Sequence, residues 1–177
     1  HGIIEQLVLG RTVDTPDQIP LSLVSGVSGR LSASELHAVA LEALSLAHGY
    51  YDAAAADIAA AELREPELEF VYRHDVSGGT GDFSMELAGT CDLVLVMPDV
   101  VKIVDFKTDR TIVPGEYDLQ LYVYCRAMSL IYGRPAHAEL FYLREGIRVP
   151  LAEDVDHTRS LDRACMLARS GIRADNG

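Results

Sequence analysis

Basic residues are scarce: 15 Lys+Arg stand against 27 Asp+Glu, for a formal net charge of −12, and Lys102 and Lys107 are the only lysines. So acidic a chain has no general electrostatic footprint for a polyanion, and any nucleic acid it handles must be held by local charges or by a metal. Cysteine is equally sparse. Cys91, Cys125 and Cys165 are widely spaced, odd in number and free of any Cys-x-x-Cys pair. That excludes a disulfide framework and a cysteine-built zinc or iron–sulfur site, and a reducing, cytoplasmic setting is expected. No apolar run approaches the length of a membrane span, so no membrane partner is expected. A secretion signal, an internal repeat and a low-complexity tail are also missing. The chain starts at His1 rather than a methionine and is read as a fragment of a longer one.

What is present suffices for one core. The 177 residues are 49% hydrophobic and 24% charged, which fits a single domain. It divides into a helical N-terminal part (1–64), a sheet with an inserted helix at 116–132 (65–151) and a C-terminal helical segment (152–177). Ile3, Ile4, Leu7 and Val8 recur at one-turn spacing and predict a first helix ending at Gly10. A loop rich in breakers follows (Pro16, Pro20, Gly26, Gly29). Ser32 with Glu35 then forms a capping box for a helix through Leu44 and Ala47. An alanine-rich stretch at 52–64 reads as a further helix stopping before Pro66. The period next changes to that of extended chain over Glu67–Tyr72, Met85–Val96 and Val101–Phe106, a three-strand meander. After the helix at 116–132, a hairpin over 136–143 and 147–151 and a last helix around Leu161–Ala168 complete the order.

Chemistry concentrates on Val101-Lys102-Ile103-Val104-Asp105-Phe106-Lys107. Alternation places Asp105 and Lys107 on one side of the sheet and Phe106 on the other. A carboxylate and an ammonium at the end of an apolar strand are costly unless they meet each other, a metal or a charged substrate. A second acid, Asp92, precedes the apolar run Leu93-Val94-Leu95-Val96. A turn near Pro98-Asp99 pairs residues whose numbers sum to 197, which sets Asp92 opposite Asp105. Carboxylates about 5 Å apart at Cβ cannot both ionise comfortably without a cation, and oxygen donors of this kind suit Mg2+ or Mn2+. Lys107 could then stabilise charge on a phosphate or hold an attacking water.

Three strings in order carry a family resemblance: Gly89-Thr90-Cys91-Asp92-Leu93-Val94, Val104-Asp105-Phe106-Lys107-Thr108, and Tyr117-Asp118-Leu119-Gln120-Leu121-Tyr122-Val123-Tyr124. Together they resemble the PD-(D/E)XK nuclease superfamily, and within it the RecB/AddA-type branch often joined to a helicase, over roughly residues 65–132. The resemblance implies an α/β (α+β) restriction-endonuclease-like core, with a central mixed β-sheet of about four to five strands flanked by helices. It implies a metal-dependent deoxyribonuclease, expected to be an exonuclease in DNA end processing and recombinational repair. DNA and a helicase, in the same longer chain or as a subunit, would be its partners. Asp92, Asp105 and the backbone carbonyl of Phe106 would hold Mg2+, with Mn2+ as the substitute. Lys107 would be the catalytic lysine, while Gln120 and Tyr124, on one helix face, would arrange lysine and substrate. Tyr117, three residues before Gln120, would complete that face. The branch adds a histidine ligand on an early helix, for which His1 is favoured over His37. It also adds an acid ahead of the first strand, for which Glu67 with Phe70 is favoured over Glu69.

Plainer readings stand beside these. Pro98-Asp99 is ordinary turn chemistry despite the family's name. Cys91 and Cys125 read as buried apolar residues. His48, His74, His137 and His157 read as surface residues, and Tyr72, Tyr122, Tyr132 and Tyr142 as core or rim. Arg73, Arg110 and Arg126 are candidate phosphate contacts. The alternative function is a catalytically silent nuclease-like scaffold that binds DNA or a partner subunit.

Overall fold

Five strands form one mixed sheet in the order β1-β2-β3-β4-β5: β1 (Leu63–Val76), β2 (Phe83–Val96), β3 (Val101–Lys107), β4 (Ala136–Tyr142) and β5 (Ile147–Pro150). The computed structural model describes residues 1–20, 23, 31–77, 82–109, 111–113 and 115–171. Gly26 and Gly29 of the first loop, the glycine-rich stretch 78–81, Arg110 and residues 172–177 lie outside them. β1, β2 and β3 are antiparallel, whereas β3 and β4 run parallel because the helix α4 (Asp118–Tyr132) carries the chain across between them. Gly133, in the left-handed region at φ 64°, ends that helix. The mixed five-stranded sheet with flanking helices is the expected restriction-endonuclease-like architecture.

The apolar residues of β3 are buried on both faces, Val101 and Ile103 in one layer and Val104 and Phe106 in the other. On one face, Leu93, Leu95, Val104, Phe106 and Phe141 pack against α1 (Gly2–Val8), α2 (Ala33–Ala53) and α3 (Ala55–Ala60). On the other, Val94, Ile103, Leu140 and Tyr142 pack against Leu121 and Met128 of α4 and Leu161 and Cys165 of α5 (His157–Ser170). The capping box that starts α2 is formed: Glu35 Oε2 accepts the Ser32 hydroxyl at 2.6 Å and the Ser32 N–H at 2.8 Å, and these bonds, the hydroxyl's first, hold the Glu35 carboxyl below its usual range.

Two sequence expectations need correction. The stretch 52–64 is not one helix up to Pro66: α3 ends at Ala60, and β1 already starts at Leu63. Arg64 Nε donates to the Ile58 carbonyl at 2.8 Å and the Glu62 N–H donates to Val96, so the chain joins the β2 ladder early. Pro66 is tolerated because β1 is an edge strand. His74 and His157 are buried, at 7% and 8% exposure, rather than superficial. Each finds a partner: His74 Nε2 lies 2.7 Å from Asp162 Oδ1 and His157 Nε2 2.6 Å from the Ala152 carbonyl. Among the described residues, no helix is long and apolar enough to cross a membrane.

Candidate active site

The β2–β3 register keeps the expected sum of 197 from Val96↔Val101 to Leu93↔Val104, one step short of Asp92 and Asp105. What happens at that step shapes the site. Along β2, Leu87 and Cys91 face the α4–α5 layer, and so do Val94 and Val96. The alternation of odd and even residues therefore reverses at Asp92. In the β1–β2 ladder the pair opposite is missing as well: Pro66↔Leu93 is followed by Leu68↔Cys91, and Glu67 between them has φ 51°. Left-handed backbone at a non-glycine residue is strained and interrupts the pleat. The interruption falls where the two acids, Glu67 and Asp92, stand across from each other.

Asp92 consequently turns toward the backbone of β3, where its Oδ2 accepts the Phe106 N–H at 2.7 Å. Its other oxygen, Oδ1, lies 3.4 Å from His1 Nδ1. His1, Glu67 and Asp92 each present a ligand atom, and these atoms lie within 4.8 Å of one another. α1 delivers His1 by burying Ile3, Ile4, Leu7 and Val8, and the His1 ring rests against Phe106 with centroids 5.5 Å apart. His37 is exposed on α2 and takes no part in this cluster; Glu69 is exposed on β1 and is likewise outside it.

Asp105 stands outside the trio but responds to it. It is 3% exposed, and burial raises its carboxyl above the usual range, with the Asp92 charge adding to the rise and Lys107 opposing it. Lys107 Nζ lies 2.8 Å from Asp105 Oδ2 and 3.8 Å from the centroid of the Tyr117 ring, a cation–π contact. The strand alternation thus places Asp105 and Lys107 together, with Phe106 packed in the opposite layer. Gln120 Nε2 donates to Asp105 Oδ1 at 3.0 Å and to the Tyr124 hydroxyl at 2.6 Å. Burial pushes the Tyr124 hydroxyl up to about 12, so at neutral pH it is a protonated phenol. Gly89 admits this arrangement: a Cβ there would sit 3.0 Å from Phe70 Cζ and 3.5 Å from Tyr124 Cε1.

The electrostatics favour a cation. Burial and the Asp92 charge raise the Glu67 carboxyl, and the contact with Asp92 raises the His1 imidazole. The buried Asp105 Oδ2 has Lys107 at ion-pair distance but no aligned hydrogen bond. An excess of carboxylate oxygen with one imidazole nitrogen is a donor set for a divalent ion. Cys91, by contrast, is buried, with its thiol pushed up to about 12, and offers no thiolate. Pro98-Asp99 is an exposed turn closed by Met97 and Val100, away from the acids.

The mixed five-stranded sheet with flanking helices is of the restriction-endonuclease-like class, and its strained seam gathers acids and a histidine beside the Asp-x-Lys strand. Residues 5–175 match the PD-(D/E)XK nuclease superfamily, and the chain belongs to it. Members of that superfamily are typically nucleases that use divalent metal ions and bind DNA. No curated protein matches the chain. Among solved structures it is similar to the protein described as "Crystal structure of SSO0001", at 12% identity and TM-score 0.45, over 99% of this chain and 88% of that one.

Proposed function

We propose that the chain is a Mg2+-dependent DNA exonuclease domain of the RecB/AddA type, working with a helicase in the same longer chain or in a partner subunit, in DNA end processing and recombinational repair. Mn2+ would serve in place of Mg2+. The observation that carries the nuclease reading is the meeting of His1, Glu67 and Asp92 within 4.8 Å, beside the buried Asp105–Lys107 pair. The finer assignment is supported by the three motif strings, in order and closely spaced.

His1, Glu67 and Asp92, with Asp105 and the Phe106 backbone carbonyl beside them, would hold the ion. When bound, a divalent ion supplies charge neutralisation at the acids and a lowered pKa for water. The chain's own residues do the rest. Lys107 places a positive charge where negative charge builds on the scissile phosphate. Gln120 fixes the Asp105 carboxylate and is itself fixed by Tyr124, and the Tyr117 ring steers the Lys107 ammonium.

Cleavage of linear single- and double-stranded DNA with Mg2+ or Mn2+, and with EDTA, tests the reading. The expected result is loss of terminal nucleotides that requires the metal and stops with EDTA. DNA binding without any metal-dependent cleavage would instead identify a silent scaffold.

A further inference from the structure

Next to the Asp105–Lys107 pair, a cavity of about 500 Å³ opens between β2, α4 and α5. Its walls are apolar: Leu87 and Gly89 from β2, Leu119 and Val123 from α4, Ala164 and Ala168 from α5. Each of these six is half-buried or exposed, so the cavity is open to solvent. The rings of Phe70 and Tyr124 add an aromatic wall, edge-on to each other with centroids 5.6 Å apart. An apolar cavity of about 150 Å³ already takes a benzene ring, so this one has room for a larger planar ring system. Its size and lining are those of a site for an organic group.

Apart from the Cys165 thiol, the polar side chains in the wall are Gln120 and Tyr124. Gln120 commits both amide hydrogens, one to Asp105 Oδ1 at 3.0 Å and one to the Tyr124 oxygen at 2.6 Å. That leaves the Gln120 carbonyl oxygen as an acceptor and the Tyr124 O–H as a donor. An acceptor beside a donor on an apolar wall matches a flat heterocycle whose edge carries the complementary couple. Every nucleobase carries one on its Watson–Crick edge: adenine N1 and N6–H, cytosine N3 and N4–H, guanine O6 and N1–H, thymine O4 and N3–H. An aliphatic chain would fill the same volume but leave both polar groups without partners, which is costly.

Position ties the cavity to the cut. The Gln120 amide in its wall is the one that holds Asp105, and Asp105 pairs with Lys107 at 2.8 Å. We propose that the cavity is a nucleobase subsite: it receives one unpaired base of the DNA strand next to the scissile phosphate, with Gln120 and Tyr124 at the base's hydrogen-bonding edge and Phe70, Leu87 and Val123 around its ring. The subsite rests on the nuclease reading. Because all four bases offer the same couple, it grips a base without selecting a sequence. In a chain of net charge −12, apolar contact with a base supplies binding that charge does not.

The test is fluorescence-anisotropy binding of labelled single-stranded oligonucleotides to the full chain in Ca2+, alongside cleavage in Mg2+. One set of oligonucleotides carries a single abasic residue at successive positions, which removes a base and keeps every phosphate. For the wild type, one position should be sensitive, its abasic form binding about tenfold more weakly than the intact strand. Ala164→Phe, which fills the cavity from α5, should weaken the intact strand by the same factor and leave the sensitive abasic strand unaffected. The salt slope should not change, since no phosphate contact is lost. Melting curves check that the variant is folded, and Ala168→Phe, one turn further along α5, serves if Ala164→Phe is not. Equal binding of all abasic and intact strands by the wild type, or undiminished binding of the intact strand by a folded filled variant, overturns the subsite. A wild type that shows the sensitive position but cleaves with no divalent ion overturns the nuclease reading alone, and one that binds no DNA overturns both.

Discussion

Lys107→Gln is expected to lose about 10³-fold or more in DNA cleavage, on the scale of removing an oriented donor from a developing anion. The physical reason is the pair it makes with Asp105. Side-chain exposures of 15% and 5% take both groups largely out of water, and the 2.8 Å contact is the ammonium's carboxylate partner in the site. Removing one charge strands the other, which costs roughly 3–5 kcal/mol in a buried pair. A drop in activity could therefore be mistaken for a drop in stability. The double variant Asp105→Asn with Lys107→Gln separates the two, since it removes both charges and leaves an amide pair of similar size. It should melt closer to wild type than Lys107→Gln does and still fail to cut. Recovery of cleavage in the double variant would show that neither group takes part in the chemistry. Melting temperature and initial rates on linear DNA, measured on the same preparations, decide it.

Phe106→Ala is expected to destabilise the fold by about 3–5 kcal/mol, the range for emptying a buried aromatic site. Phe106 is 4% exposed and meets Tyr50 edge-on with centroids 4.6 Å apart, while Tyr50 meets Phe141 at 4.9 Å. These rings join β3 and β4 to α2, and the His1 ring lies against the same Phe106. The substitution thus removes core area on one face of β3 and the surface on which α1 sets its histidine. Urea unfolding should show the lower midpoint, and Phe106→Leu, which refills most of the volume, should recover much of the loss. A near-neutral Phe106→Ala would mean that α1 and α2 are not packed on the sheet as described.

The Asp-x-Lys face is legible in the sequence because alternation on a short strand with both faces covered leaves little freedom, and Asp105 and Lys107 do share a side. The Gln120–Tyr124 contact was equally legible from helical spacing. The turn at Pro98-Asp99 set the β2–β3 register correctly. It could not show that alternation reverses at Asp92, since that depends on the left-handed backbone of Glu67 across the ladder. Asp92 is therefore directed to the Phe106 N–H and His1 instead of simply standing face to face with Asp105. Pro66 marks a break in the sequence, but the break lies inside an edge strand rather than at the end of a helix. The His74–Asp162 contact joins residues 88 positions apart, and nothing local to either announces it.

The proposed function requires the acids and the histidine gathered at this seam to bind a divalent ion. Calorimetric titration of Mn2+ into the wild-type chain, Asp92→Asn and Glu67→Gln measures this without any substrate. The wild type is expected to bind saturably, and each variant at least about tenfold more weakly. Equal affinity in all three, or no heat of binding in the wild type, would contradict it.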